Sequence, residues 1–130
     1  MLEIGSSASL TRKVNESDVI AFADITGDNN PIHLDEEEAK KTVFKSRVVH
    51  GMLTASFISA ILGTKLPGPG TIYLEQNLKF KKPVYVNDTV YVQVTVSDII
   101  NEEKGIYRLD TIIKNSIGEI VTEGYAVVKA

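Results

Sequence analysis

Cysteine is absent from the chain, which excludes disulfides, thiolate metal sites and thiol catalysis together. Histidine is scarce: His33 and His50 are the only two, too few for a histidine-rich metal cage. Positive charge is not in excess either. Lys and Arg total 14 against 17 Asp and Glu, a formal charge of -3, so no basic stripe marks a nucleic-acid surface. Long apolar runs are missing as well. The most apolar stretch, 51–63, is interrupted by Thr54, Ser56 and Ser59 and falls short of the ~20 residues a membrane-spanning helix requires. The opening MLEIGSSASL has neither the basic nor the apolar region of a secretory signal, so a soluble, cytoplasmic protein without a membrane partner is expected.

What is present reads as one ordinary globular domain spanning 1–130, with 43% hydrophobic and 24% charged residues and 4 prolines. A chain of this length can bury about two-thirds of its unfolded surface. A strand is expected around 8–14. Asn15 can then cap a helix whose first turn carries Glu16 and Asp18, and Gly27 is a natural stop. Asp35, followed by three glutamates, signals a second short helix.

The stretch HGMLTASFISAILG (50–63) is apolar in nearly every direction around a helix, which predicts one buried on all sides. After the LPGPG break the period changes to two. Val90, Val92, Val94 and Val96 face one way in TVYVQVTV, and further strands follow in GIYRLDTIIK and EIVTEGYAVVK. TIYLEQNLKFKKPV supplies an earlier strand, and Asn87-Asp88 and 115–118 supply turns. Short turns imply antiparallel neighbours. The fold class is therefore α+β, with a curved antiparallel sheet wrapped around a central buried helix, the hot-dog arrangement. Edge strands make dimerisation natural in such a layout.

The segment DITGDNNPIHLD (24–35) carries the chemistry. Asp28 and His33 flank Asn29, Asn30 and Pro31; proline disfavours helix at the residue before it, and the asparagines favour turns. The expectation is a tight, non-helical connection able to set a carboxylate beside an imidazole. Around one water such a pair can perform general acid–base work, with histidine's ordinary pKa of ~6.5 near the operating range. A polar structural turn is the other reading. Gly51 is similarly two-sided. At the start of the buried helix it either permits close packing or presents an unsatisfied backbone N–H to a ligand oxygen.

FADITGDNNPIHLD, then SRVVHGMLTASFISAILG, then FKKPVYVNDTV resemble in order the MaoC-like (R)-specific enoyl-CoA hydratases, from about Phe22 to the C-terminus. The D-x-N-P-x-H element with a downstream H-G carries most of the likeness. The PV-x-x-x-D match (Pro83, Val84, Asp88) is weaker, and Asn87 stands where a glycine is usual. The resemblance implies a hot-dog homodimer that reversibly adds water to trans-2-enoyl-CoA, giving (3R)-3-hydroxyacyl-CoA without metal or redox cofactor. It implies Asp28 and His33 as the groups that activate water and protonate C2. Gly51 N–H is implied to stabilise the enolate oxygen, Ser59 to support the aspartate by a hydrogen bond, and Asn30 to shape the loop.

Other residues read more plainly. Ser59 could equally bond back to its own helix, and His50 reads as a structural partner at the helix start. Lys79, Lys81 and Lys82 suit either coenzyme A phosphates or a solvated strand edge. A (3R)-hydroxyacyl dehydratase acting on acyl carrier protein would use the same residues in reverse. A hot-dog thioesterase is disfavoured because 51–63 contains no acidic residue. A non-catalytic acyl-CoA-binding protein would have no need of the aspartate, histidine and glycine together.

Overall fold

The computed structural model describes residues 1–130. In chain order the elements are β1 (Ser7–Lys13), α1 (Glu16–Thr26), α2 (Pro31–Leu34), α3 (Glu36–Lys40), α4 (Gly51–Thr64), β2 (Ile72–Phe80), β3 (Thr89–Asn101), β4 (Ile106–Lys114) and β5 (Ile120–Lys129).

The caps of α1 explain its limits. The Asn15 side chain accepts from the Asp18 N–H, and the Asp18 carboxylate accepts from the Asn15 N–H, each at 3.0 Å. This reciprocal pair satisfies two otherwise orphaned donors. Gly27 closes the helix at φ 80, a left-handed angle that glycine takes without penalty. The segment expected to be non-helical departs from that expectation at Pro31, which begins the single turn α2. Asn30 stays outside it at ψ 125 and caps it, its side chain accepting from the Ile32 N–H at 3.3 Å. Proline lacks only an N–H that a first helical residue leaves unused, so it opens a helix as readily as it breaks one.

The five strands form one antiparallel sheet in the order β1-β3-β4-β5-β2. Val90, Val92, Val94 and Val96 of β3 are at most 1% exposed and pack with Phe57, Ile58, Ile61 and Leu62 of α4. Truncating a fully buried residue such as Ile58 to alanine would cost about 2–5 kcal/mol, so this contact anchors helix to sheet. Register shifts after Val96 and Ile99 bend β3, as bulges do, and the sheet curves around α4. This is the hot-dog arrangement.

One expectation for α4 is corrected. Leu53, Phe57, Ile58, Ile61 and Leu62 are buried, but Met52, Ser56, Ser59 and Gly63 form an exposed stripe along one side. Helix α4 lies against β1, β3 and β4, while β2 stands apart and leaves a groove between itself and the helix. The place of β2 is fixed from its other side. A Cβ on Gly124 of β5 would stand 1.8 Å from the Asn77 carbonyl oxygen, so glycine permits the close strand approach there. No helix is long and apolar enough to cross a membrane.

Candidate active site

The turn after α1 aims Asp28. Thr26 donates its hydroxyl to Phe22 O at 2.6 Å and accepts from the Asp28 N–H at 3.1 Å, and Asp28 Oδ1 accepts from the Asn30 N–H at 3.3 Å. Asn30, capping α2, directs the turn that carries His33. The imidazole of His33 then meets the Val48 carbonyl, Nδ1 to O at 2.7 Å. A carbonyl only accepts, so the proton sits on Nδ1 and the Nε2 lone pair is left for substrate chemistry. The His33 pKa lies below its ordinary 6.5 because burial disfavours the imidazolium. The Val48 carbonyl opposes that effect, His50 adds to it, and Asp28 opposes it.

The second histidine joins the first. His50 is buried; its Nε2–H donates to the Asp28 backbone carbonyl at 2.9 Å, and its ring stacks on that of His33, centroids 3.8 Å apart and planes at 27°. The Phe22 ring also packs against His50, centroids 4.8 Å apart and planes at 56°. A carboxylate oxygen of Asp28 and one ring nitrogen from each histidine lie within 4.8 Å of one another. No direct bond joins Asp28 to His33. Two hydrogen bonds of ~2.8 Å meeting at one water span about 4.6 Å, a length that fits inside the 4.8 Å limit of this cluster.

The same three residues bring their side-chain atoms close enough to be a candidate metal group. His33 Nδ1 and His50 Nε2 are already engaged, and the remaining lone pairs lie in the planes of two stacked rings.

Gly51 opens α4 beside this cluster. His50 provides no side-chain cap, and the Gly51 and Met52 N–H groups find no protein acceptor. Both residues line a cavity of about 480 Å³ together with Asp28, His33, Phe80 and Lys82 among others. Phe80 lies directly over the glycine; a Cβ on Gly51 would come within 2.8 Å of its ring. Lys81 pairs with Glu123 at 2.5 Å and Lys82 with Glu119 at the cavity rim, while Lys79 does not line the cavity. The bond from Lys82, ahead of one from Asn115, holds the Glu119 carboxyl below its usual range.

Asp28, Asn30, His33 and Gly51 therefore meet at one cavity. Ser59 does not join them, and the expected Ser59–Asp28 hydrogen bond is not formed. Eight residues of helix carry Ser59 about 12 Å beyond Gly51, into the neighbouring groove with Tyr73, Gln76 and Leu78. Three features escaped the sequence reading: the Val48 carbonyl on His33, the His33–His50 stack and Phe80 over Gly51. None has a local signal, since each joins residues far apart in the chain.

Asp28, His33 and Gly51 thus gather at the N-terminus of the central helix of a hot-dog fold. The chain belongs to the MaoC-like domain family, whose model matches residues 3–115. It is 50% identical over 125 residues to the (R)-specific enoyl-CoA hydratase of Rhodospirillum rubrum, a match covering 95% of this chain and 85% of that protein. It is 46% identical to the 3-hydroxybutyryl-CoA dehydratase of Methylorubrum extorquens, over 98% of this chain and 80% of that one. The solved structure of the (R)-hydratase from A. caviae involved in PHA biosynthesis matches it with a TM-score of 0.95 at 45% identity, covering 98% and 96% of the two chains.

Proposed function

We propose that this chain is an (R)-specific enoyl-CoA hydratase, adding water reversibly to trans-2-enoyl-CoA to give (3R)-3-hydroxyacyl-CoA. The observation that carries the proposal is the meeting of an Asp28 carboxylate oxygen and a His33 ring nitrogen, within 4.8 Å of each other, at the same cavity that Gly51 lines. The close relatives named for this reaction and its reverse support it.

In this scheme Asp28 and His33 grip one water. As the water oxygen bonds to C3, its proton passes to His33 Nε2 and the C2–C3 π electrons move through C1 onto the thioester oxygen. The Gly51 N–H donates to that oxygen as it gains enolate charge, in the region where the helix dipole favours negative charge. The pair then returns a proton to C2 on the same face. Hydration leaves the overall oxidation state unchanged, so no redox cofactor is required, and coenzyme A enters as part of the substrate. The partner chain is a second copy: β2 is a sheet edge carrying Ile72, Leu74 and Phe80, each half-exposed in one chain.

The test offers crotonyl-CoA and crotonyl-acyl carrier protein in parallel and gives the product to an (S)-specific hydroxyacyl-CoA dehydrogenase. The reading predicts rapid hydration of the CoA thioester and a product that the dehydrogenase leaves unoxidised. Strong preference for the carrier-protein thioester would make the chain a carrier dehydratase. Ready oxidation of the product would remove the (R) assignment.

A further inference from the structure

His50 has more contacts with the reacting pair than a core residue needs. It is 2% exposed, yet it is imidazole and not an apolar side chain. Its ring packs against those of both Phe22 and His33. One nitrogen is spent on the backbone of Asp28, and the other, Nδ1, is buried without any partner. Burying an unsatisfied polar atom costs about 1–3 kcal/mol. Filling the space alone would be served better by phenylalanine, which has no polar atom to bury.

We infer that His50 is a positioning residue for the acid–base pair: its Nε2–H pins the backbone of Asp28 while its ring fixes the plane of His33. This rests on the hydratase reading above. The two tethers set one distance. Asp28 follows a turn held by Thr26 and Asn30, and His33 sits on a helix of a single turn with its Nδ1 on the Val48 carbonyl; neither set of bonds joins one residue to the other. The His50 side chain touches both, so the gap that receives the water depends on it. Its ring also stands beside the His33 imidazole and opposes its protonation, in the same direction as burial. The other ionisable groups around that cavity are Asp28, Lys81 and Lys82. Arg47, adjacent to Val48, is tied to Glu16 and Glu36.

Two replacements separate the tethers. His50→Gln keeps an amide N–H at a reach similar to Nε2 and gives up the stacked ring. His50→Phe keeps the ring and its packing and gives up the donor. The expected order of kcat is wild type, then Gln, then Phe. The Phe variant should fall roughly 10- to 100-fold, because small displacements of reacting groups cost rates of this size, while KM stays within a few-fold. In both variants the acid limb of kcat/KM moves to higher pH, since the second imidazole no longer opposes protonation of His33.

A space-filling role predicts the opposite order, with Phe as active as wild type or more active than Gln, and an unmoved pH limb. Either result overturns the inference. Should neither variant fold, nitrogen NMR of the wild-type imidazoles decides it: the proton of His50 is expected on Nε2, and a proton on Nδ1 would overturn the clamp. His33→Ala assayed alongside keeps the two claims apart. Full turnover in His33→Ala removes the hydratase site itself, whereas its collapse together with wild-type kinetics in both His50 variants removes only the role of His50.

Discussion

Two cavities flank the start of α4, and they are built in opposite ways. In the one holding Asp28 and His33, nearly every polar group is tied. Thr26, Asn30, Val48 and His50 each give or take a hydrogen bond that fixes a neighbour. The other, a groove of about 440 Å³ between α4 and β2, is lined by exposed apolar surface, with Met52 at 60% and Tyr73 at 40% exposure. The first gathers its polar groups from one chain. The second is half a surface, a pattern expected where a partner or a ligand's apolar part completes the burial. Chemistry and recognition are thus assigned to different construction rules in a single small fold.

That contrast can be broken at the chemical side first. His33→Ala and Asp28→Ala should each lower kcat with crotonyl-CoA by roughly 10²–10⁴ while the melting temperature stays near wild type, since neither side chain supports the core. Gly51 comes next. Gly51→Pro deletes the N–H but suits the first position of a helix, and His50 already has the extended ψ of 130 that a residue before proline prefers. Gly51→Ala meets the same Phe80 ring and keeps the N–H. A kcat for the Pro variant about 10²–10³ below that of the Ala variant would identify the amide as the oxyanion donor. Equal rates would mean that Phe80 alone explains the glycine.

The open side gives a smaller effect. Leu74→Lys on the β2 edge should weaken self-association about 10-fold or more in sedimentation experiments. Unchanged association would place the interface elsewhere. The smallest effect is in pH. Because burial, helped by His50, holds His33 below 6.5, and the base form is the neutral one, kcat/KM should stay level as pH falls through 6.5 and decline only below it. A midpoint above 6.5 would contradict the assigned environment.

Much of this was legible in the residues, wherever the signal was local. Asn15 and Gly27 bound α1 because capping is decided within a few positions. The alternation of Val90 to Val96 gave β3 its buried face, and Asn87 takes the left-handed φ of 75 that asparagine tolerates. Pro31 misled because its steric rule acts on Asn30, which is indeed extended, and not on the residues that follow. The open stripe on α4 was hidden for another reason: hydropathy reports how apolar a helix is, not which strand stands back from it. Candidate site residues were recognisable by type and spacing, but the contacts that aim them were not. His33 reaches Val48 across 15 positions and His50 reaches Asp28 across 22, where no periodicity carries information. Ser59 shows the same gap from the other side, since its place on α4 could be counted but the distance to Asp28 could not.

The account stands on Asp28 and His33 working as one unit upon one water, and a double-mutant cycle on kcat reads that directly. If they share the water, Asp28→Ala/His33→Ala should be scarcely slower than the worse single variant, because the first loss already dismantles the site. A double variant slowed by the full product of the two single losses would mean that they act independently, and the shared-water mechanism would be wrong.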